Sequence, residues 1–75
     1  MLDTKLYSLL KVYECGSFGA AAKKLSITQP AVSHHIKALE EELGVCLFDR
    51  QSGGIIVTRE GEAVIKCAKK MLSLY

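Results

Sequence analysis

Residues 16–44 read GSFGAAAKKLSITQPAVSHHIKALEEELG, and this stretch decides the fold class. Apolar residues at helical spacing occur on both sides of a three-residue break formed by Ser26, Ile27 and Thr28. Two helices joined by so short a break are typical of a helix-turn-helix unit. The stretch therefore predicts a helix-turn-helix, with its second helix running from residue 29 to Leu43.

The ends of both helices are marked by residues that favour capping. Ser17 and Thr28 each precede a helical pattern, and each hydroxyl can accept a hydrogen bond from a free N–H of the first turn. Pro30 falls in the first turn of the second helix, where its missing N–H costs nothing. Gly16 and Gly44 follow helical patterns and are expected to end them.

The flanking sequence predicts a helix before this unit and a hairpin after it. Residues 3–14 carry apolar side chains at helical spacing, with Asp3 as the expected N-cap. Residues 45–49 and 55–58 are β-prone and enclose a turn over residues 50–54, which predicts a two-stranded wing.

From residue 59 the helical period returns and continues to Tyr75. The predicted fold class is therefore mainly α: a winged helix-turn-helix with a three-helix core and a two-stranded wing, followed by a long linker helix. Residues 1–58 form the winged helix-turn-helix domain in this interpretation, and residues 59–75 form the linker helix.

Composition narrows the class of protein. The 75 residues suffice for one domain, and the net charge is +2. Three separated cysteines indicate neither a disulfide framework nor a zinc site, and no metal or cofactor is expected. No signal peptide or membrane-length apolar run is present, so we expect a cytoplasmic protein without membrane contact. No nucleophile-base pair, phosphate loop or carboxylate dyad suggests an enzyme.

Five polar or small residues share one predicted face of the second helix of the unit: Gln29, Pro30, Ser33, His34 and Lys37. Such a helix places its first residues against base edges in the major groove of DNA. Gln29 can pair with adenine, while His34 and Lys37 can donate to guanine or phosphate. Ser33 can contact several bases, and Pro30 can lie against a thymine methyl group. The pattern predicts double-stranded DNA as the partner.

Three further residues are candidate DNA contacts. Ser17 and Thr28 lie at helix N-termini, which favour phosphate through free N–H groups and the helix dipole. Arg50 lies in the predicted wing, from which an arginine can reach a minor groove. The alternative is that this polar face is only a solvated helix surface.

The last helix has a wider apolar arc than one small domain can cover. The excess indicates a second subunit, although part of the arc can pack on Leu6, Leu10 and Tyr13 of the first helix. The predicted dimer interface consists of Val64, Ile65, Ala68, Met71, Leu72 and Tyr75.

Taken together, these motifs resemble the LysR-type transcriptional regulators over nearly the whole chain. The matching runs are Gly16-Ser17-Phe18, Ala20-Ala21-Ala22-x-x-Leu25, Thr28-Gln29-Pro30-Ala31-Val32-Ser33, Ile36-x-x-Leu39-Glu40, Leu43-Gly44, Leu47-Phe48-x-Arg50 and Thr58-x-x-Gly61.

The resemblance implies a regulator of transcription that binds inverted-repeat operators. It implies a homodimer through the linker helix and a tetramer as the alternative assembly in the full-length protein. A small-molecule effector would act only through a C-terminal domain, which is absent from this chain. The family's base-contacting positions carry over to Gln29, Pro30, Ser33 and His34, and its wing contact carries over to Arg50.

Three other interpretations stay open. Another winged-helix regulator, of the molybdate-responsive or multiple-antibiotic-resistance type, shares the predicted fold. A helical protein-interaction module could use the same fold without DNA. A metal or redox sensor could use His34, His35 and the cysteines, but adjacent helical residues point about 100° apart and make a poor chelating pair.

Overall fold

The computed structural model describes residues 2–51 and 54–73, which form four helices and a two-stranded sheet. The elements in chain order are α1 (Leu2–Cys15), α2 (Phe18–Leu25), α3 (Gln29–Leu43), β1 (Phe48–Gln51), β2 (Gly54–Val57) and α4 (Arg59–Ser73). The first three helices pack together, the strands form an antiparallel wing, and α4 returns to α1. The predicted winged helix-turn-helix is confirmed.

Capping side chains fix the helix ends as the sequence indicates. The Ser17 hydroxyl accepts a hydrogen bond from the N–H of Ala20 at 3.1 Å. The Thr28 hydroxyl accepts one from the N–H of Ala31 at 3.3 Å. Gly44 ends α3 at a φ of 71°, a left-handed conformation that a residue without a Cβ adopts with little strain. These predicted helix ends are confirmed.

Buried apolar side chains from all four helices and the wing form the hydrophobic core. Phe18 and Phe48 meet edge to face with ring centroids 6.2 Å apart, which joins α2 to β1. The core residues are Leu6, Leu9, Val12, Phe18, Ala21, Ala22, Val32, Ile36, Leu39, Leu47, Phe48, Ile65 and Ala68.

Two predicted boundaries are wrong. Asp3 lies inside α1 and does not cap it, because α1 begins one residue earlier. The first wing strand begins at Phe48 and not at residue 45. The cause is that Leu47 is bound on both sides by groups outside the wing: its N–H donates to Glu40, and its carbonyl accepts from Thr58. The chain therefore enters the ladder only after Leu47.

The wing is tighter than the sequence suggests. Phe48 pairs with Val57, and the ladder continues through Arg50 opposite Ile55 to Gln51 opposite Gly54. The predicted turn over residues 50–54 is thus largely strand, and residues 52–53 lie outside the described part of the chain.

α4 packs on the core of its own chain. Thr58 caps it by accepting a hydrogen bond from the Gly61 N–H at 2.9 Å. Ile65 and Ala68 are 2 % and 0 % exposed, so both belong to the core. This corrects their assignment to the dimer interface, since a side chain enclosed by its own domain is not available to a second subunit. Among the described residues, no helix has the length and apolar content needed to cross a bilayer.

Candidate nucleic-acid interface

The turn between α2 and α3 sets the relative position of the two helices. Ser26 adopts a left-handed conformation with a φ of 58°, and its N–H donates to the Lys23 carbonyl at 3.2 Å. The N–H of Ile27 donates to the Ala22 carbonyl at 3.1 Å. These bonds satisfy carbonyls at the end of α2 and reverse the chain sharply. α3 then begins directly after a three-residue turn.

α3 has a core face and a solvent face. Val32, Ile36 and Leu39 are at most 3 % exposed and pack towards α1 and α2. The other face is the recognition surface, in which four side chains are exposed and Ser33 is half-buried. The recognition surface consists of Gln29, Pro30, Ser33, His34 and Lys37. The structure therefore brings together all five residues that the sequence predicts for base contact.

The charges around the N-termini of α2 and α3 favour the binding of an anion. Neither α2 nor α3 carries an acidic residue in its first turn, so the first turns themselves place no negative charge beside the N-terminal N–H groups. Lys23 and Lys24 are exposed in the last turn of α2, and Lys37 is exposed on α3. α3 ends with an acidic block, residues 40–42, and Glu42 of this block forms an ion pair with Lys5 of α1 at 3.0 Å.

The predicted phosphate contacts at the helix N-termini stay predictions. Ser17 is half-buried and Thr28 is exposed, and each hydroxyl oxygen already accepts the capping bond of its helix. A hydroxyl has one proton to donate besides its acceptor sites. Capping and donation to a phosphate are therefore compatible at both residues.

The wing contact also stays a prediction. Arg50 lies in β1 opposite Ile55, so its backbone belongs to the wing. Its side chain lies outside the described part of the structure. Tyr75, the last residue of the predicted dimer interface, lies outside the described residues as well.

The adjacent histidines point in different directions. His34 is exposed on the recognition surface, whereas Nδ1 of His35 lies 2.7 Å from Oγ of Ser8 in α1, a side chain that is 1 % exposed. Within residues 2–51 and 54–73, no three His, Cys, Asp or Glu side chains are grouped to hold a metal ion. The contact between His35 and Ser8 could not be predicted from the sequence, because the two residues are 27 positions apart.

Glu40 is a second residue whose role the sequence analysis missed. Its carboxylate accepts hydrogen bonds from the backbone at the start of the wing, where Leu47 N–H is 2.8 Å away. No short-range pattern signals this, because a glutamate in an acidic helical block ordinarily indicates a solvated surface. The contact connects the recognition helix directly to the wing.

The outer surface of α4 is partly apolar. Met71 is 45 % exposed, while Val64 and Leu72 are half-buried. The Tyr13 hydroxyl donates to Glu62 at 3.3 Å, and Lys69 Nζ lies 5.2 Å from the centre of the Tyr13 ring. α1 therefore covers only one side of α4.

α3 follows a tight turn, buries one face in the core and exposes the other, and an antiparallel wing comes after it. This arrangement defines a winged helix-turn-helix DNA-binding domain. The family model described as "Bacterial regulatory helix-turn-helix protein, lysR family" matches residues 4–62. The chain belongs to this family, as its sequence motifs predict.

Curated relatives of the chain are regulators of transcription. The probable HTH-type transcriptional regulator LrrA of Synechococcus elongatus is 49 % identical over 72 residues, which cover 96 % of this chain and 24 % of the relative. The HTH-type transcriptional regulator MetR of Haemophilus influenzae is 42 % identical over 67 residues, 89 % of this chain and 22 % of MetR. The chain thus spans about a quarter of the length of these relatives.

Solved structures of family members have the same fold. The DNA-binding domain of CbnR in complex with DNA matches with a TM-score of 0.94 and 38 % identity, over 99 % of this chain and 85 % of that one. OxyR of Corynebacterium glutamicum matches with a TM-score of 0.91 and 42 % identity, over 99 % of this chain and 23 % of that one.

Proposed function

We propose that the chain binds double-stranded DNA sequence-specifically, with α3 in the major groove and the wing against the flanking backbone or minor groove. The observation that carries this proposal is the recognition surface. It begins in the first turn of α3 and lies on the face of the helix away from the buried Val32, Ile36 and Leu39. The CbnR domain, which was solved with DNA, supports it by its close structural match.

Each residue of the recognition surface has a proposed role. Gln29 pairs with an adenine edge, and Ser33 donates to or accepts from a neighbouring base. His34 and Lys37 donate to guanine or phosphate, and Pro30 presents an apolar edge to a thymine methyl group. Ser17 and Thr28 donate to phosphates at the two helix N-termini. Arg50 adds a contact from the wing.

Removing a base contact is expected to change discrimination more than general affinity. Gln29→Ala should lower the preference for the best duplex by about 1–3 kcal/mol, roughly 5- to 150-fold, since an amide can pair with an adenine edge through two hydrogen bonds. Ser33→Ala should lower it by a smaller amount, since a hydroxyl donates only one hydrogen bond. Arg50→Ala should weaken binding to all duplexes, since the positive charge that contacts the DNA backbone or the minor groove is lost. Selection from a random duplex pool at fixed salt measures both effects.

The control for the loss of positive charge is Lys66→Ala, which alters an exposed residue of α4. It should leave the selected sequence and the affinity for all duplexes unchanged. If Gln29→Ala selects the same bases at every position as the unaltered chain, the assignment of α3 as the reading helix is wrong.

The proposed functional unit is a dimer formed through α4. Val64, Met71 and Leu72 lie outside the fully buried part of the domain and offer apolar surface to a second copy. Tyr75, which lies outside the described residues, belongs to the proposed interface by its place in the sequence alone. A two-fold dimer presents its reading helices to successive major grooves, about 34 Å apart or a multiple of that distance, and so favours an inverted repeat.

Placing a charge on this surface is expected to separate the subunits. Met71→Glu should shift sedimentation at high concentration towards the monomer, because like charges would meet across the two-fold axis. The matched control is Ser73→Glu, which adds the same charge about 200° around the helix. A chain that sediments as a monomer even on an inverted-repeat duplex that it binds would refute the dimer.

The proposed function requires binding alone, in the cytoplasm, with no catalytic step. Its partners are an inverted-repeat operator and a second copy of the chain, with a tetramer as the assembly of a longer protein. Any response to a small-molecule effector would belong to a separate C-terminal domain.

A further inference from the structure

Glu40 holds the segment that leads from α3 into the wing. Its Oε2 accepts hydrogen bonds from the N–H groups of Leu47 at 2.8 Å and Phe48 at 3.5 Å. Its main-chain carbonyl accepts from the N–H groups of Gly44 at 2.8 Å and Val45 at 3.2 Å. One residue of the recognition helix therefore binds four backbone N–H groups of the connection to β1.

The same connection is held from the opposite side by the start of α4. The Leu47 carbonyl accepts a hydrogen bond from the Thr58 N–H at 3.0 Å, and the Thr58 hydroxyl lies 3.2 Å from the same oxygen. A Cβ added to Gly61 would overlap that carbonyl oxygen and lie 2.9 Å from Cγ2 of Val57. The fully buried Leu47 is thus fixed between α3 and α4.

The position of Glu40 is electrostatically unfavourable for a DNA-binding helix. It lies in the last turn of α3, where the helix dipole disfavours an acidic residue and no basic residue compensates. A carboxylate on the reading helix also repels phosphate. Its hydrogen bonds to the N–H groups of Leu47 and Phe48 offset these costs, because the 2.8 Å bond from Leu47 to the carboxylate is charge-assisted and therefore strong.

We propose that Glu40 is a positioning residue that fixes the wing relative to the recognition helix, so that wing and α3 contact DNA as one rigid unit. The carboxylate acts through the Leu47 and Phe48 N–H groups, and Phe48 is the first residue of β1. The part of the inference that concerns DNA rests on the proposed function. The part that concerns the placement of the wing does not.

Two substitutions of Glu40 separate the effect of its side-chain length from the effect of its charge. Glu40→Asp keeps the negative charge but withdraws the carboxylate by one methylene, so the bonds to Leu47 and Phe48 are lost. Glu40→Gln removes the charge but keeps an acceptor oxygen at the same reach. The matched control is Glu41→Gln, which neutralises the exposed neighbouring glutamate. A purely electrostatic role would make the glutamine variant abnormal and the aspartate variant normal.

The first measurement needs no DNA. Amide hydrogen exchange of the whole chain should show the Leu47 and Phe48 N–H groups losing protection in Glu40→Asp and keeping most of it in Glu40→Gln. Backbone NMR order parameters of Ile55 and Val57 should fall in Glu40→Asp alone. Unchanged exchange and unchanged wing order in Glu40→Asp would overturn the inference, whether or not the chain binds DNA.

The second measurement tests the coupling to DNA. Arg50→Ala is combined with each variant, and the weakening it causes on a selected duplex is compared across backgrounds. That weakening should shrink by at least about twofold with Glu40→Asp and stay unchanged with Glu40→Gln and Glu41→Gln. A clear weakening by Arg50→Ala that is equal in all four backgrounds would overturn the coupling of the wing to α3 through Glu40. No weakening in any background would instead contradict the proposed wing contact of Arg50. A chain that binds no duplex would instead overturn the proposed function, and the exchange result would then decide the role of Glu40.

Discussion

Ala68→Glu is expected to unfold the domain. Ala68 is fully buried on the face of α4 that meets the core, and Ile65 beside it is 2 % exposed. A glutamate there must either carry a charge into an apolar core or push α4 away, and each costs several kcal/mol. A chain of 75 residues has about 4–11 kcal/mol of stability in total, from roughly 0.05–0.15 kcal/mol per residue. The loss caused by the substitution is therefore comparable to the whole free energy of unfolding.

The matched control is Ala63→Glu, the same substitution at an exposed position of the same helix. Thermal unfolding followed by circular dichroism, at a concentration where the unaltered chain is monomeric, compares the two variants. Ala63→Glu should keep the cooperative transition, whereas Ala68→Glu should lose it or melt tens of degrees lower, since about 1 kcal/mol shifts the Tm of a domain of this size by roughly 4–8 °C. A normal transition in Ala68→Glu would mean that α4 does not dock as described.

Short-range interactions made the helix-turn-helix predictable from the sequence. The hydroxyls of Ser17 and Thr28 cap the helices that directly follow them, and Gly44 ends α3 because its φ is positive. Such signals act within three or four residues, so they need no knowledge of the tertiary structure. The helical offset between His34 and His35 likewise indicated two different environments, which the structure shows.

Long-range contacts limited the prediction elsewhere. The wing begins later than its β-prone residues suggest, because Leu47 is bound by Glu40 and Thr58, which lie 7 residues before and 11 residues after it. On α4, periodicity identified the apolar arc but could not assign each residue to its partner. Ile65 and Ala68 pack on their own chain, and only part of the arc stays available to a second copy.

The affinity of the chain for duplex DNA is expected to fall steeply with salt. The recognition surface, the exposed Lys23 and Lys24 and the N-termini of α2 and α3 offer several cationic or N–H groups to phosphates. Each neutralised phosphate contributes about −0.9 to the slope of log affinity against log salt concentration. With about three phosphates per subunit, a fourfold rise in salt should weaken binding roughly 40-fold, and a dimer should show about twice that slope.

The most direct test of the account is this salt titration, performed on a duplex selected from a random pool and on a scrambled duplex of the same composition. We expect a slope of about −2.7 or steeper for the selected duplex, with tighter binding than to the scrambled one at every salt concentration. A slope near zero would contradict the proposal that the chain binds DNA. Equal affinity for the two duplexes would contradict the proposal that α3 reads the sequence.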